Sequence, residues 1–299
     1  MTCKEKVVAI GMFDGVHKGH LAVLDTLKQS ACENGHEAVA ITFTDHPLLL
    51  IAPERAPKLL TDCETKKMLL EEAGVKSLFL DFDENLRSTS VEEWIKYLAE
   101  ELGVKKIIAG YDNTFGCDGV DLSLHEYMKI GEQYGVKIIE APYVEGVSSS
   151  AIRKAIERGE ITEAEKMSGR PFFVRGEVVG GNKLGRTIGF PTANVKVKKN
   201  MLVPGRGVYA AMAAPEGGKE YPAMVNIGVK PTVSDENNLS LEAHIIGWEG
   251  DLYGKKLQLR FIDRLRDETD FKTIENLRQQ LETDRKETLR IIKEKNNAK

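Results

Sequence analysis

Across residues 7–158 the chain alternates between short apolar runs and segments with the 3.6-residue period of an amphipathic helix, and no other feature narrows its fold as much. Residues 7–10, 37–43, 77–82, 105–109 and 136–141 read as strands. Between them run helical stretches: one from Leu21 stopped by Gly35, one behind the capping box Thr61-x-x-Glu64, one behind Ser90-x-x-Glu93 and closed by Gly103, and one over 122–134. A last one runs to Arg158. Five strands and five helices in strict order predict an α/β unit with a parallel sheet covered on both faces and right-handed crossovers. The ligand crevice of such a sheet lies beyond the carboxyl ends of its strands.

The grammar changes after a short helical piece that opens at Thr162-x-x-Glu165 and ends at Ser168-Gly169-Arg170-Pro171. A domain boundary is expected there, with residues 1–168 and 169–299 on its two sides. Residues 172–179, 207–214, 220–227, 239–246 and 256–262 are short strands joined by Gly/Pro turns, which predicts an antiparallel all-β unit built as a small barrel. From Phe271 the spacing of Ile274, Leu277, Leu281, Leu289 and Ile292 predicts amphipathic helices packed on it, before a solvated Lys-rich end.

With 299 residues, 41% hydrophobic, there is material for two cores. A net charge of −4 disfavours a long nucleic-acid surface but not local capture of small anions. Cys3, Cys32, Cys63 and Cys117 are scattered without C-x-x-C spacing, which speaks against a zinc site, a redox pair or a disulfide framework. The start lacks an apolar leader and no run approaches the ~18 apolar residues of a membrane span, so no membrane partner and a cytoplasmic location are expected. Nothing in the sequence sets an oligomeric state.

Three motifs carry chemistry. In Gly11-x-Phe13-Asp14-Gly15-Val16-His17-x-Gly19-His20 a buried strand turns sharply into a helix, placing two imidazoles at the helix start, where N–H groups and the dipole favour an anion. Ser148-Ser149-Ser150-x-Ile152-Arg153 offers hydroxyls and one fixed positive charge at another helix start, suited to a di- or triphosphate. In the second half, Gly180-Gly181-Asn182-Lys183-Leu184-Gly185-Arg186 leads into Gly189-Phe190-Pro191-Thr192-Ala193-Asn194. Its glycines let backbone N–H groups approach phosphate oxygens that Lys183 and Arg186 neutralise, and Thr192 with Asn194 offers oxygen ligands to Mg²⁺. Farther on, alternation puts Leu239, Leu241, Ala243 and Ile245 on one face of a strand and Glu242 with His244 on the other. G-x-G-x-x-G is absent, which leaves a nicotinamide-dependent dehydrogenase without support.

The first motif resembles the H-x-G-H of nucleotidylyltransferases, and the longer string resembles the opening of the bacterial bifunctional riboflavin kinase/FAD synthetase family. The serine motif is similar to the S-S-T-x-I-R that accompanies H-x-G-H, and Pro191-Thr192-Ala193-Asn194 to the P-T-A-N of riboflavin kinases. Asn226-Ile-Gly-Val-Lys-Pro-Thr232, Leu241-Glu242-Ala243-His244 and Asp251-Leu-Tyr-Gly254 continue the likeness. It implies a Rossmann-like adenylyltransferase domain followed by a kinase barrel, with riboflavin, FMN and ATP as substrates and Mg²⁺ as cofactor. On that resemblance His17, His20, Ser149 and Arg153 hold the ATP triphosphate, and Glu242 is the general base that takes the proton of the riboflavin 5′-hydroxyl. Gly110-Tyr111-Asp112-Asn113-Thr114-Phe115-Gly116 resembles the family's flavin-side loop, implying flavin contacts at Asp112, Asn113 and Phe115, and at Arg266 in the barrel. The chain departs from the family at Met12, Lys58, Asn113 and Ser150, departures that bear on the flavin side more than on ATP. An enzyme retaining one of the two activities, a nucleotidylyltransferase for another small phosphate, and a non-catalytic flavin- or RNA-binding regulator are the alternatives.

Overall fold

The computed structural model describes residues 4–111, 114–181, 184–229 and 239–297. The chain divides into two compact units, Met1–Ser149 and Ser150–Lys299.

In the first unit the order is β1 (Lys6–Ile10), α1 (Lys18–Asn34), β2 (Glu37–Phe43), the short α2 (Leu48–Ile51), α3 (Cys63–Glu72), β3 (Lys76–Leu80), α4 (Glu84–Ser88), α5 (Val91–Glu100), β4 (Val104–Ala109), α6 (Leu124–Gln133) and β5 (Lys137–Glu140). All four ladders are parallel, in the order β3-β2-β1-β4-β5. The sheet is covered on both faces because β1 is apolar on both. Val8 and Ile10 pack with Trp94, Ile95 and Leu98 of α5, while Val7 and Ala9 pack with Leu24 and Leu27 of α1 and Leu69 and Leu70 of α3. Strand order reverses between β1 and β4, and the crevice at that switch point is bordered by the turn that begins at Gly11.

Helix ends follow local chemistry. Gly35 closes α1 in the left-handed conformation, and both Ser90 with Glu93 and Ser123 with Glu126 form capping boxes. The box expected at Thr61 does not form. Asp62 caps α3 instead, accepting the Thr65 N–H at 2.9 Å, because the Thr61 hydroxyl is engaged in the turn after β1.

The second unit opens with α7 (Ser149–Glu157, which starts on the last residue of the first unit) and α8 (Ile161–Ser168). It continues with β6 (Phe173–Val179), α9 (Leu184–Thr187), β7 (Ala193–Lys196), β8 (Gly207–Pro215), β9 (Tyr221–Val229), β10 (Leu239–Ile245), β11 (Lys256–Arg266) and α10 (Ile274–Asn297). The strands close into a barrel in the order β10-β7-β6-β11-β8-β9. Inward positions two apart are filled by Tyr209, Ala211 and Ala213 of β8, Ala223, Val225 and Ile227 of β9, and Leu257, Leu259 and Phe261 of β11, all fully buried. α7 and α8 lie against this barrel: the Gly205 N–H donates to Ile156 O at 3.1 Å, and Glu165 pairs with Lys295 of α10.

Two differences from the sequence reading stand out. β7 was not expected, yet it bridges β6 and β10 and closes the barrel, so half of the Pro-Thr-Ala-Asn motif is strand. The C-terminal segment is one helix of 24 residues with Asp284, Thr288 and Ile292 buried, whereas Ile274 and Leu289 are exposed. Its seam is organised by an ion pair. Arg266 Nη2 donates to Asp284 Oδ2 at 2.8 Å and Gln280 Nε2 to Oδ1 at 2.8 Å, while the guanidinium lies over the Phe271 ring. Asp284→Ala would leave the Arg266 guanidinium, 20% exposed, without its counter-charge. We expect a loss of about 2 kcal/mol, below the fully buried case because water reaches the arginine. A lowered urea midpoint for the barrel transition measures it.

Two candidate phosphate sites

β1 runs into Gly11, whose N–H donates to Ile41 O at 3.0 Å, and the backbone then leaves the sheet through two strained residues. Phe13 has φ 47° and Val16 φ 38°, on either side of Gly15 at 81°. Non-glycine residues in that region cost about 1–3 kcal/mol each, so surrounding structure must hold the turn. The buried Asp14 carboxylate accepts the N–H groups of Leu60 and Thr61, each at 3.0 Å, and the Thr61 hydroxyl at 3.2 Å. That hydroxyl accepts the Gly15 N–H at 3.0 Å. Thr42 Oγ1 donates to Met12 O and Ser149 Oγ to Asp14 O, both at 3.0 Å.

Held this way, the turn delivers His17 to the N-cap of α1. Its Nδ1 accepts the His20 N–H at 3.3 Å, which leaves the ring proton on Nε2, a donor suited to a phosphate oxygen. The two imidazoles stack with centroids 3.7 Å apart, and Phe13 meets His20 edge-on at 5.3 Å. A side chain at position 19 would press on the His17 ring at 3.1 Å, which explains the glycine between the histidines.

The second site is built on the barrel. A Cβ on Gly181 would collide with the Asn194 amide, and Phe190 N–H donates to Gly185 O at 2.8 Å, folding the glycine-rich segment over the start of β7. Register places Asn194 of β7 opposite Glu242 of β10, and Glu242 opposite Asn226 of β9. These three lie side by side on the face away from the packed interior. Thr192 Oγ1 donates to Glu242 Oε2 at 3.3 Å. Two residues along the same face, His244 Nδ1 lies 2.9 Å from Pro191 O. A carbonyl only accepts, so Nδ1 carries the proton, and burial holds the ring below the ordinary histidine pKa. A cavity of about 630 Å³ beside these residues is lined by Arg186, Thr192, Ala193, Trp248, Asp251 and Tyr253.

A family model described as FAD synthetase matches residues 1–153, and one described as riboflavin kinase matches 168–292. The bifunctional riboflavin kinase/FMN adenylyltransferase of Pseudomonas fluorescens is 36% identical over 282 residues, 93% of this chain and 90% of that protein. This chain belongs to the bifunctional riboflavin kinase/FMN adenylyltransferase family. The family's Bacillus subtilis member is 35% identical over 96% of this chain and 93% of its own length. A crystal structure from Streptococcus pneumoniae, described as a macrolide-efflux protein, matches with a TM-score of 0.86 at 31% identity, covering 96% of this chain and 95% of that one. Among the described residues no helix of the present chain is long and apolar enough to cross a membrane.

Set against the family motifs, the structure gathers Gly11, Phe13, Asp14, His17, His20 and Ser149 around one turn, and Gly181, Gly185, Thr192, Asn194 and Glu242 around the start of β7. Gly180 precedes that second cluster, and Ser148 and Arg153 flank and enter α7. Asp112, Asn113 and Lys183 lie outside the described residues. Phe115 packs against the Tyr127 ring at 4.8 Å, and its backbone is bonded to the Tyr127 hydroxyl. Arg266 is held by Asp284 as described above. Sequence reasoning missed Thr42 and Trp248, gave Thr61 the part of a helix cap instead of a brace for the turn, and met Asp251 and Tyr253 only as part of a family likeness. Their roles arise from long-range contacts with no local signature.

Proposed function

We propose that the barrel phosphorylates riboflavin to FMN with MgATP and that the parallel-sheet unit transfers AMP from a second ATP to FMN, giving FAD and pyrophosphate. The single observation that carries this reading is that one chain matches both family models, and the two separately built candidate phosphate sites support it. Both steps are in-line displacements at phosphorus, in which positioning and charge neutralisation supply most of the rate. In the barrel, Glu242 accepts the proton of the riboflavin 5′-hydroxyl as that oxygen attacks the γ-phosphate. Arg186 and the glycine-rich segment hold the phosphates, and the cavity of about 630 Å³ takes the nucleotide. The Thr192 hydroxyl and the Asn194 amide are hard, neutral oxygen donors, which fits them to hold Mg²⁺ delivered with ATP. When bound, the ion would add neutralisation of the phosphate charge.

In the first unit His17 and His20 stabilise the triphosphate as pyrophosphate leaves, while Asp14 and Ser149 shape the turn. Arg153 keeps the role read from its motif, a fixed positive charge for the ATP phosphates. No base is needed, because the FMN phosphate is already ionised. At Met12 the departure is one of side chain, while the backbone carbonyl that braces the turn is common to any residue there. The functional boundary falls at 168/169, at the start of the stretch matched by the riboflavin kinase model, and the enzyme works in the cytoplasm.

Incubation with riboflavin, ATP and Mg²⁺, with products separated over time, tests this. FMN should rise first and FAD follow, and chelation of the metal should stop phosphorylation. A chain that never forms FMN, or never converts supplied FMN, lacks the corresponding activity.

A further inference from the structure

Lys66 lies in the first turn of α3, yet its side chain runs inward and the residue is 3% exposed. Its Nζ donates to Phe43 O at 2.7 Å, at the carboxyl end of β2, and to Met12 O at 3.1 Å. It also sits 5.4 Å above the centre of the Phe79 ring of β3. Met12 O is the acceptor that Thr42 also reaches, and it belongs to the peptide immediately before Phe13, the first of the two strained residues. The ammonium therefore ties the ends of β1 and β2 together at the point where the chain leaves the sheet for His17.

We propose that Lys66 is a positioning residue for adenylyl transfer: a buried cation that pins the Met12 carbonyl, and through it the strained turn that aims His17 and His20. The proposal rests on the assignment of FMN adenylylation to this unit.

The charge is kept at a cost. Desolvation pushes the Lys66 pKa below the ordinary lysine value, against the pull of Cys63, Asp14 and Asp45, the ionisable groups facing it from α3 and from the turns after β1 and β2. Below its folded pKa the buried lysine is protonated and opposes folding, and that opposition is relieved only as pH rises through the lowered value. An apolar side chain of similar length would fill the same space without desolvating a charge. A residue present only for stability would not be chosen this way. The two bonded carbonyls and the strained turn beside them supply the reason.

Lys66→Met separates the possibilities. The expected result is a roughly 10- to 100-fold fall in kcat for FAD formation from FMN, the scale of a small misplacement of reacting groups. KM for ATP and FMN should hold within about threefold, the thermal midpoint should not fall, and riboflavin phosphorylation in the same chain should be unchanged. Thr42→Val, which removes the other donor to Met12 O, should act in the same direction more weakly. Amide hydrogen exchange over residues 12–17 should quicken in Lys66→Met, a readout independent of activity.

The proposal is overturned by unchanged exchange in that turn. It is equally overturned by an unchanged kcat, by a loss confined to KM, or by a loss that disappears once the rate is corrected for unfolded protein. Wild-type chain that makes no FAD would instead sink the functional assignment, and the exchange measurement would still decide whether Lys66 pins the turn.

Discussion

Glu242→Gln is expected to lower the rate of FMN formation from riboflavin by roughly 10²- to 10⁴-fold, the usual contribution of a positioned base. FAD formation from supplied FMN should remain at the wild-type rate. The glutamine preserves the volume of the side chain and an oxygen to accept the Thr192 hydroxyl, so the local bond at 3.3 Å has a substitute. Pairing of β10 with β7 and β9 is a backbone matter and is also retained. What disappears is the ability to take a proton, so the loss should fall on kcat while KM for riboflavin moves little. Separating riboflavin, FMN and FAD by chromatography after incubation with either starting flavin reads both halves in one experiment. Loss of FAD synthesis from FMN in this variant, with the fold intact, would contradict independent sites.

The mirror-image result is expected from His17→Ala: FAD formation should fall by roughly 10²- to 10³-fold, as when one preorganised donor to a developing negative charge is removed. FMN should then accumulate from riboflavin. His17 is also the N-cap of α1, and an alanine there costs about 1 kcal/mol through the unsatisfied helix end. His17→Asn resolves the two effects. Asparagine is a good cap and should restore the thermal midpoint, but its short amide cannot reproduce the stacked imidazole that approaches His20 at 3.7 Å, so adenylyl transfer should stay low. Recovery of activity in His17→Asn would reduce His17 to a structural cap.

Much of this architecture was legible in the chain itself. A strand buried on both faces needs apolar residues at every position, as in residues 7–10, and the capping boxes at Ser90 and Ser123 are local patterns that nothing distant overrode. The misreading at Thr61 has a definite cause. Its side chain had two competing offers, a cap three residues on and a turn some 46 residues upstream, and the long-range one prevailed. β7 escaped notice because its apolar/polar alternation, Ala193-Asn194-Val195-Lys196, spans only four residues inside a stretch taken for ligand binding, and its pairing is fixed by neighbours far away in sequence. On α10, the apolar spacing held for the buried Ile292 and the half-buried Leu277 and Leu281 but not for the exposed Ile274 and Leu289, while Asp284, paired with Arg266, is buried on the packed face. At the candidate sites, the glycines, histidines and hydroxyls of the motifs pointed to phosphate chemistry. The supports that aim them, Thr42, Thr61 and Lys66, carry no motif of their own.

The placement of β7 has a consequence for how this protein can change. The stave that shuts the cylinder is also the wall from which Asn194 faces Glu242, and Thr192 stands at its threshold. Loosening that seam to admit a bulkier acceptor would unzip hydrogen bonding on two neighbouring strands at once. New specificity on this scaffold therefore has to be sought at the rim, in the loops around the mouth, while the staves themselves are left alone.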